Sequence, residues 1–127
     1  MQERQLYEYA VIRVVPRVER EEFLNVGVVL YCRSQKYLEA VSVLDHQRLA
    51  AFCSTCQAEE IETYLTAFKN ICIGNGDAGP ISLLPAAARF RWLTATRSTV
   101  VQTSKTHPGL CIDPAEKLQK LFKDLVA

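Results

Sequence analysis

Residues Tyr7 to Tyr31 read YEYAVIRVVPRVEREEFLNVGVVLY, and this stretch decides the fold. It holds two runs rich in β-branched residues, separated by one short charged loop. In the first run, apolar side chains fall on both faces of a strand with a two-residue period, which indicates a central strand. Pro16 lacks the amide hydrogen that a sheet ladder needs, so the loop begins there. We expect the two runs to pair as an antiparallel hairpin.

The second run predicts one side that faces a core, formed by Val26, Val28, Leu30 and Cys32. Gly27 lies inside this run, where a glycine weakens strand propensity. Such a residue is typical of a β-bulge, or of a place where another backbone or a ligand comes close. Its polar neighbours are therefore candidates for a site.

The rest of the chain predicts two further strands and several helices. Tyr37 to Leu44 alternates and extends the hairpin into a meander, and Arg97 to Ser104 predicts a fourth strand. Capping residues and helical periodicity predict helices at Asp45 to Phe52, Ser54 to Gly74, Pro85 to Leu93 (where an extended segment also fits), and from Asp113 onward. We expect an α+β fold in one domain over residues 1–127, with an antiparallel sheet of about four strands and two or three helices packed on one face.

The composition suits a single core. Of the 127 residues, 49% are hydrophobic, and a domain of this size buries roughly two thirds of its unfolded surface. The N-terminal sequence MQERQLYEY has no apolar segment of signal-peptide length, and no stretch approaches the ~20 apolar residues that span a bilayer. We therefore expect a cytoplasmic protein without a membrane partner. The five cysteines are expected to be reduced thiols.

The charges are unevenly distributed although the net charge is only +1. No Asp or Glu occurs from Ala78 to Ile112, and that segment carries five basic or titratable side chains: Arg89, Arg91, Arg97, Lys105 and His107. Glu59 to Glu62, by contrast, holds three carboxylates. The distribution predicts one locally positive surface.

A resemblance to a known family rests on four segments: YAVIRVVPRVEREEFLNVGVVLYC, ARFRWL, STVVQTS followed by HPGL, and a C-terminal helix ending in LFKDLV. They resemble the bacterial family catalogued as domain of unknown function 3037, and the likeness covers nearly the whole chain. It implies a small domain with no established activity. Family members are often encoded beside a HipA-like kinase, which implies that kinase as a protein partner.

The family pattern in the hairpin has an acidic residue followed by Phe and Asn-Val-Gly-Val. These positions correspond to Glu22, Phe23 and the segment Asn25 to Val28. Glu21 stands where the family often has glycine.

The segment GNGDAG, from Gly74 to Gly79, matches the G-x-G-x-x-G pattern of dinucleotide sites. In those sites the glycines follow a strand and open a helix whose amino end holds the pyrophosphate. Here they follow a predicted helix, so we interpret the segment as a loop that ends it.

Cys53 and Cys56 form a C-x-x-C pair, which is compatible with a lowered thiol pKa or with half of a zinc site. A tetrahedral zinc site needs two more ligands, and the sequence has no second pair at zinc spacing. The remaining candidates lie in scattered segments: His46, Cys72, His107 and Cys111. We favour thiols packed between two helices, and expect neither a metal nor a cofactor.

The segment RFRW with the following arginine is the best recognition candidate. Arg89, Arg91 and Arg97 carry guanidinium groups suited to carboxylates and phosphates, beside aromatic faces suited to stacking. The alternative is that these arginines lie on a short amphipathic helix, solvated or paired with surface acids.

A second candidate cluster combines Arg13, Glu22 and Asn25. A charge within an apolar strand needs a partner when it is covered, and Glu22 is the nearest one across the hairpin. The cluster is compatible both with a structural ion pair and with a ligand pocket. We expect Arg13, Arg89 or Arg97 to lie within hydrogen-bond reach of Glu22 or Asn25.

His107 precedes Pro108 and Gly109, so it is expected to be extended beside a turn. No neighbouring group orients its ring for base catalysis, and no nucleophile-elbow pattern surrounds a serine. No catalytic residue is therefore predicted.

Three functions remain in consideration. The first is a non-enzymatic interaction domain, with an apolar patch from Tyr7, Tyr31 or Tyr37 on the sheet face away from the helices. The second is a phosphate- or nucleic-acid-binding module that uses the basic segment. The third and weakest is an enzyme built around Glu22, Asn25, Arg13 and His107.

Overall fold

The computed structural model describes residues 3–17, 20–74, 79–95 and 99–126. Within these ranges five strands form one antiparallel sheet: β1 Gln5–Val14, β2 Leu24–Cys32, β3 Tyr37–Ser42, β4 Val101–Thr103 and β5 His107–Cys111. The helices of the same ranges are α1 His46–Phe52, α2 Ala58–Ile73, α3 Ala86–Leu93 and α4 Pro114–Leu125, with a 3₁₀ turn at Pro80–Leu83. The predicted α+β class is confirmed.

The long strand β1 is central. It pairs with β2 along one edge, and β2 pairs with β3, as the meander predicts. Along its other edge β1 pairs with two short strands placed end to end. Residues 12–14 pair with β4, and residues 5–9 pair with β5.

The strand β5 was not predicted, because its residues His107, Pro108 and Gly109 favour a turn. In the structure these three residues pair with Tyr9, Glu8 and Tyr7. Proline is compatible with this position because an edge strand does not need every amide as a donor. The sheet therefore has five described strands rather than about four.

Ser104 joins the two short strands. Its amide donates to Val11 O at 2.8 Å, while Val11 N–H donates to the Ser104 hydroxyl at 2.9 Å instead of to a carbonyl. The hydroxyl in turn donates to Lys105 O at 2.9 Å. The chain can leave the ladder at this residue because the serine side chain still satisfies the β1 amide.

Gly27 has the role that its position in a strand indicates. The β1–β2 register shifts beside it, so that Ile12 faces Gly27 while Arg13 faces Asn25, which leaves Val26 as the extra residue of a bulge. A Cβ atom on Gly27 would lie 2.6 Å from Val41 O. Both predicted features, the bulge and the close backbone approach, are present.

The two sides of the sheet are both covered. One core, here called the α2–α3 face, includes Ile12, Val14, Val29, Tyr31, Leu65, Ile71 and Phe90. The other, called the α4 face, includes Tyr7, Val28, Leu30, Cys32, Cys111, Leu118 and Val126. Helices α1, α2 and α3 contribute to the first core, as expected for helices packed on one face, and α4 adds a cover for the second face through its own apolar stripe.

Because of the bulge, the side chains of β2 that were expected to share one core side are divided between the two faces of the sheet. Val26 joins the α2–α3 face, whereas Val28 and Leu30 lie on the α4 face. A one-residue insertion reverses the side to which every later side chain points.

Side-chain caps set two of the helix starts as predicted. Asp45 accepts from Gln47 N and Arg48 N at 3.0 and 3.1 Å, and Asp113 accepts from Ala115 N at 3.0 Å. The predicted Ser54 capping box is wrong, because α2 begins after Gln57, which makes no side-chain cap. Helix α2 ends as predicted at Gly74, in the left-handed region.

Candidate functional site

An apolar groove lies between α2, α3 and β4. Its volume is about 310 Å³, within the size range of pockets that take small ligands or partner side chains. We call it the α2–β4 groove; its lining is Tyr64, Ala67, Phe68, Ile71, Trp92, Leu93, Ala95, Thr99, Val101, Gln102 and Thr103. Tyr64 and Trp92 are 44% and 39% exposed.

The periodicity of α2 positions the aromatic wall of the groove. The helical spacing of the sequence predicts one buried stripe on α2 that contains Ile61, Tyr64, Leu65 and Ile71. In the structure Ile61, Leu65 and Ile71 point to the core, but Tyr64 projects from the edge of the stripe. The sequence assigned Tyr64 to the buried side, because a side chain at three-residue spacing from a core position is compatible with either location. The groove was missed for this reason.

Polar groups on the β4 side of the groove already have partners. The Thr99 hydroxyl donates to Val101 O at 2.7 Å, and the Gln102 amide donates to Thr99 O at 2.8 Å. These bonds fix the chain entering β4. The groove therefore has an apolar wall from the helices and a hydrogen-bonded wall from the segment that enters β4.

Arg89 stabilises the end of α2. Its Nη1 donates to Ile71 O and Cys72 O at 2.8 and 2.7 Å, and its Nε donates to Leu84 O at 2.8 Å. Ile71 O and Cys72 O belong to the last turn of α2, where Ile71 O also accepts from the Gly74 amide at 3.2 Å. A cation at this end of the helix complements the helix dipole. The Nε and Nη1 donors of Arg89 therefore have partners within the fold, which argues against a role of Arg89 in binding phosphate.

The other described members of the basic segment lie at the surface. Arg91 and Lys105 are exposed. Arg97 lies outside the described residues. His107 is exposed in β5, with its ring 5.2 Å from that of Tyr9. A role of these residues in binding a ligand stays a prediction.

Arg13 lies beside Asn25 in the register, on the far side of the sheet from Arg89. Its guanidinium carbon sits 3.8 Å from the centre of the Phe23 ring, a cation–π contact. Burial lowers the pKa of Arg13. Its Nε and the Oδ1 of Asn25 are buried without a hydrogen-bond partner among the described residues.

The expected contacts of Glu22 and Asn25 with Arg13 or Arg89 are not made. Glu22 is exposed and pairs with Arg20 at 3.2 Å. Asn25 donates instead to Leu125 O, at the end of α4, at 3.3 Å. The hairpin cluster and the described part of the basic segment therefore do not form one shared site.

The tyrosine patch expected on the open sheet face is also absent. Tyr7 and Tyr31 are buried, and Tyr37 is half-buried with its hydroxyl donating to Glu39 at 2.9 Å. Tyr7 lies under α4, and Tyr31 stacks on Phe90 at 5.3 Å on the opposite face. Because helices cover both faces of the sheet, these three tyrosines do not form an exposed patch.

The cysteines of the described residues are free thiols. Burial raises the pKa of Cys72 to about 12. No group of three or more His, Cys, Asp and Glu side chains in the described ranges is placed to hold a metal ion. None of the helices in those ranges is both long and apolar enough to cross a membrane.

Comparisons with known proteins give one result. No curated protein and no solved structure matches the chain. The model of the family described as protein of unknown function (DUF3037) matches residues 9–126. The match includes the central hairpin, the groove and α4, and the chain belongs to the DUF3037 family.

Proposed function

We propose that the protein is a non-enzymatic interaction domain that binds an apolar segment of a partner protein in the α2–β4 groove. The observation that supports the proposal most strongly is the groove itself, in which Tyr64 and Trp92 remain partly exposed around a concave apolar floor. Tyr and Trp dominate the energetic centres of protein interfaces because they bury large areas with few rotatable bonds.

The chemistry of the lining favours binding over catalysis. The groove residues are aromatic, aliphatic, hydroxyl and amide side chains, and none of them is an acid, a base or a thiol. Partner binding in such a groove follows from burial of apolar surface, at about 25 cal/mol per Å² before the costs of association. A partner helix or strand with one or two large apolar side chains fits these requirements.

The partner that we propose is a HipA-like kinase, encoded beside members of the family that the sequence resembles, and we place the complex in the cytoplasm. The protein would then act as an accessory or regulatory subunit. The basic segment has less support as a second function, because the donors of Arg89 bind carbonyls of the fold.

Co-purification with the kinase encoded next to the gene tests the proposal. Ala67→Glu puts a charge into the groove, and we expect it to weaken the complex at least about tenfold because that carboxylate loses its water on binding. Thr66→Glu is the matched control: the residue is adjacent on α2, equally exposed, and outside the groove lining.

A complex with the wild type and with Thr66→Glu, but not with Ala67→Glu, would support both the partner and the groove. Absence of any complex with the wild type would reject the kinase as partner. Equal binding by the two variants would reject the groove as the binding surface. Circular dichroism of each variant should show an unchanged fold, since both positions are exposed.

A further inference from the structure

The C-x-x-C pair lies in the turn between α1 and α2, away from the α2–β4 groove. The amide of Cys56 donates to Cys53 O at 3.4 Å, which closes a four-residue turn. Such a turn brings its first and last Cα atoms within about 7 Å, and a disulfide needs a Cα separation of about 4.4–6.8 Å. The backbone therefore holds the two cysteines in a geometry that permits a bond.

The two sulfur atoms have different environments. Cys53 caps the end of α1, where its amide donates to Leu49 O at 2.7 Å, and its Sγ lies 3.5 Å from the Thr55 hydroxyl. Cys56 packs against the α2–α3 core. Both are half-buried, whereas Cys32, Cys72 and Cys111 are buried.

Two adjoining cavities give access to the pair. One, of about 280 Å³, is lined by both cysteines with Arg17 and Glu60, and the other, of about 220 Å³, is lined by Cys53 with Arg17, Arg20 and Glu22. Arg20 is paired with Glu22. Arg17 borders both cavities.

We propose that Cys53 and Cys56 form a thiol–disulfide exchange site that reacts with low-molecular-weight disulfides, with Cys53 as the attacking thiol and Cys56 as the resolving thiol. The site is independent of the interaction proposed above.

The reaction is balanced by the small disulfide itself. The Cys53 thiolate attacks one sulfur of R–S–S–R, forming a mixed disulfide and releasing R–S⁻, which takes a proton. Cys56 then loses its proton to solvent, and its sulfur attacks Cys53 Sγ and releases the second R–S⁻. Two protein thiols are oxidised to one disulfide, and one small disulfide is reduced to two thiols.

The order of attack follows from the environments. Hydrogen bonds from Cys56 and Thr55 lower the pKa of Cys53, whereas burial, followed by the hydrogen bond to Cys53 and the charge of Glu60, raises the pKa of Cys56 to about 11. Cys53 therefore has the larger thiolate fraction at neutral pH. An acidic thiolate is intrinsically less nucleophilic, but this offsets only about half of the gain on a logarithmic scale, so Cys53 remains the faster attacking thiol.

Incubation with glutathione disulfide, followed by mass spectrometry and peptide mapping, tests the site. The wild type should form the Cys53–Cys56 disulfide without retaining glutathione. Cys56→Ser should retain one glutathione on Cys53, because the resolving thiol is missing. Cys53→Ser should react with glutathione disulfide several-fold more slowly than Cys56→Ser, because it lacks the attacking thiol. The three buried cysteines serve as internal controls and should stay unmodified while the chain is folded.

Two results would overturn the proposal. One is a wild-type protein that keeps both thiols free at every ratio of glutathione disulfide to glutathione. The other is equal reaction rates of Cys53→Ser and Cys56→Ser. Because both thiols lie outside the strands and helices, both serine variants are expected to fold, and unchanged circular dichroism spectra would verify this.

Discussion

The two faces of the central sheet surround a half-buried arginine in opposite ways. On the α2–α3 face, Arg89 donates to three carbonyls at the end of α2 and beside the 3₁₀ turn. On the α4 face, Arg13 contacts the ring of Phe23, while its Nε has no hydrogen-bond partner among the described residues. The contribution of a half-buried cation to stability therefore depends on the partners that the surrounding elements supply, because a covered donor without a partner is costly.

The largest expected effects come from the apolar cores of the two faces. Phe90→Ala removes a ring that is 1% exposed and should lower the free energy of unfolding by about 3–5 kcal/mol. Leu118→Ala, at a side chain that is 0% exposed under α4, should lower it by about 2–5 kcal/mol. Urea denaturation measures both.

Leu83→Ala is the control, since Leu83 is 73% exposed, and it should change the free energy by less than about 0.5 kcal/mol. A loss below about 1 kcal/mol for Leu118→Ala would contradict the expectation that the cores on both faces stabilise the protein. It would mean that α4 does not unfold cooperatively with the rest of the domain.

The next effect separates the two arginines. Arg89→Met keeps an unbranched side chain but removes the three donated hydrogen bonds, and should lower the free energy of unfolding by about 2–3 kcal/mol. Arg91→Met, two residues further on the exposed side of α3, should change it by less than about 0.5 kcal/mol. Equal effects in urea denaturation would show that Arg89 does not stabilise the end of α2.

Arg13→Met applies the same substitution to the other face. It removes a desolvated cation whose Nε lacks a partner, and loses a cation–π contact worth about 0.5–1 kcal/mol. We expect the free energy of unfolding, measured by urea denaturation, to change by no more than about 1 kcal/mol in either direction. A loss as large as that of Arg89→Met would mean that the two faces do not differ in this respect.

The smallest effect concerns the loop that brings Phe23 to Arg13. Glu21 has a φ of 55°, in the left-handed region that favours glycine. Glu21→Gly removes the backbone strain at this position but increases the conformational entropy of the unfolded chain. We therefore expect the free energy of unfolding to rise by only about 0.5 kcal/mol, as measured by thermal or urea denaturation. The exposed Glu22→Gly control should not stabilise the protein.

Much of the fold is predictable from local sequence signals. The hairpin, the meander, the glycine at the end of α2 and the caps at Asp45 and Asp113 each depend on residues close together in the chain. The pairing of β5 depends on Tyr7 and Gly109, about a hundred residues apart, which no local pattern connects. The position of α4 likewise follows from the second apolar side of the hairpin, a long-range property.

The candidate site was less predictable for a related reason. The arginines of RFRW have the side chains of a recognition segment, but the α2 carbonyls that bind Arg89 come from another helix. The groove requires α2, α3 and β4 to meet, and its residues carry no charge pattern. The C-x-x-C spacing was visible, whereas the different packing of its two sulfur atoms was not.

Ser104 has a consequence for self-association. By taking the chain out of register at one point, it divides the outer edge beside β1 into pieces of three and five residues, the second of which contains Pro108. A strand from another molecule would therefore find no continuous row of donors and acceptors to extend. One hydroxyl thus completes the inner ladder while making this border of the sheet a poor template for aggregation.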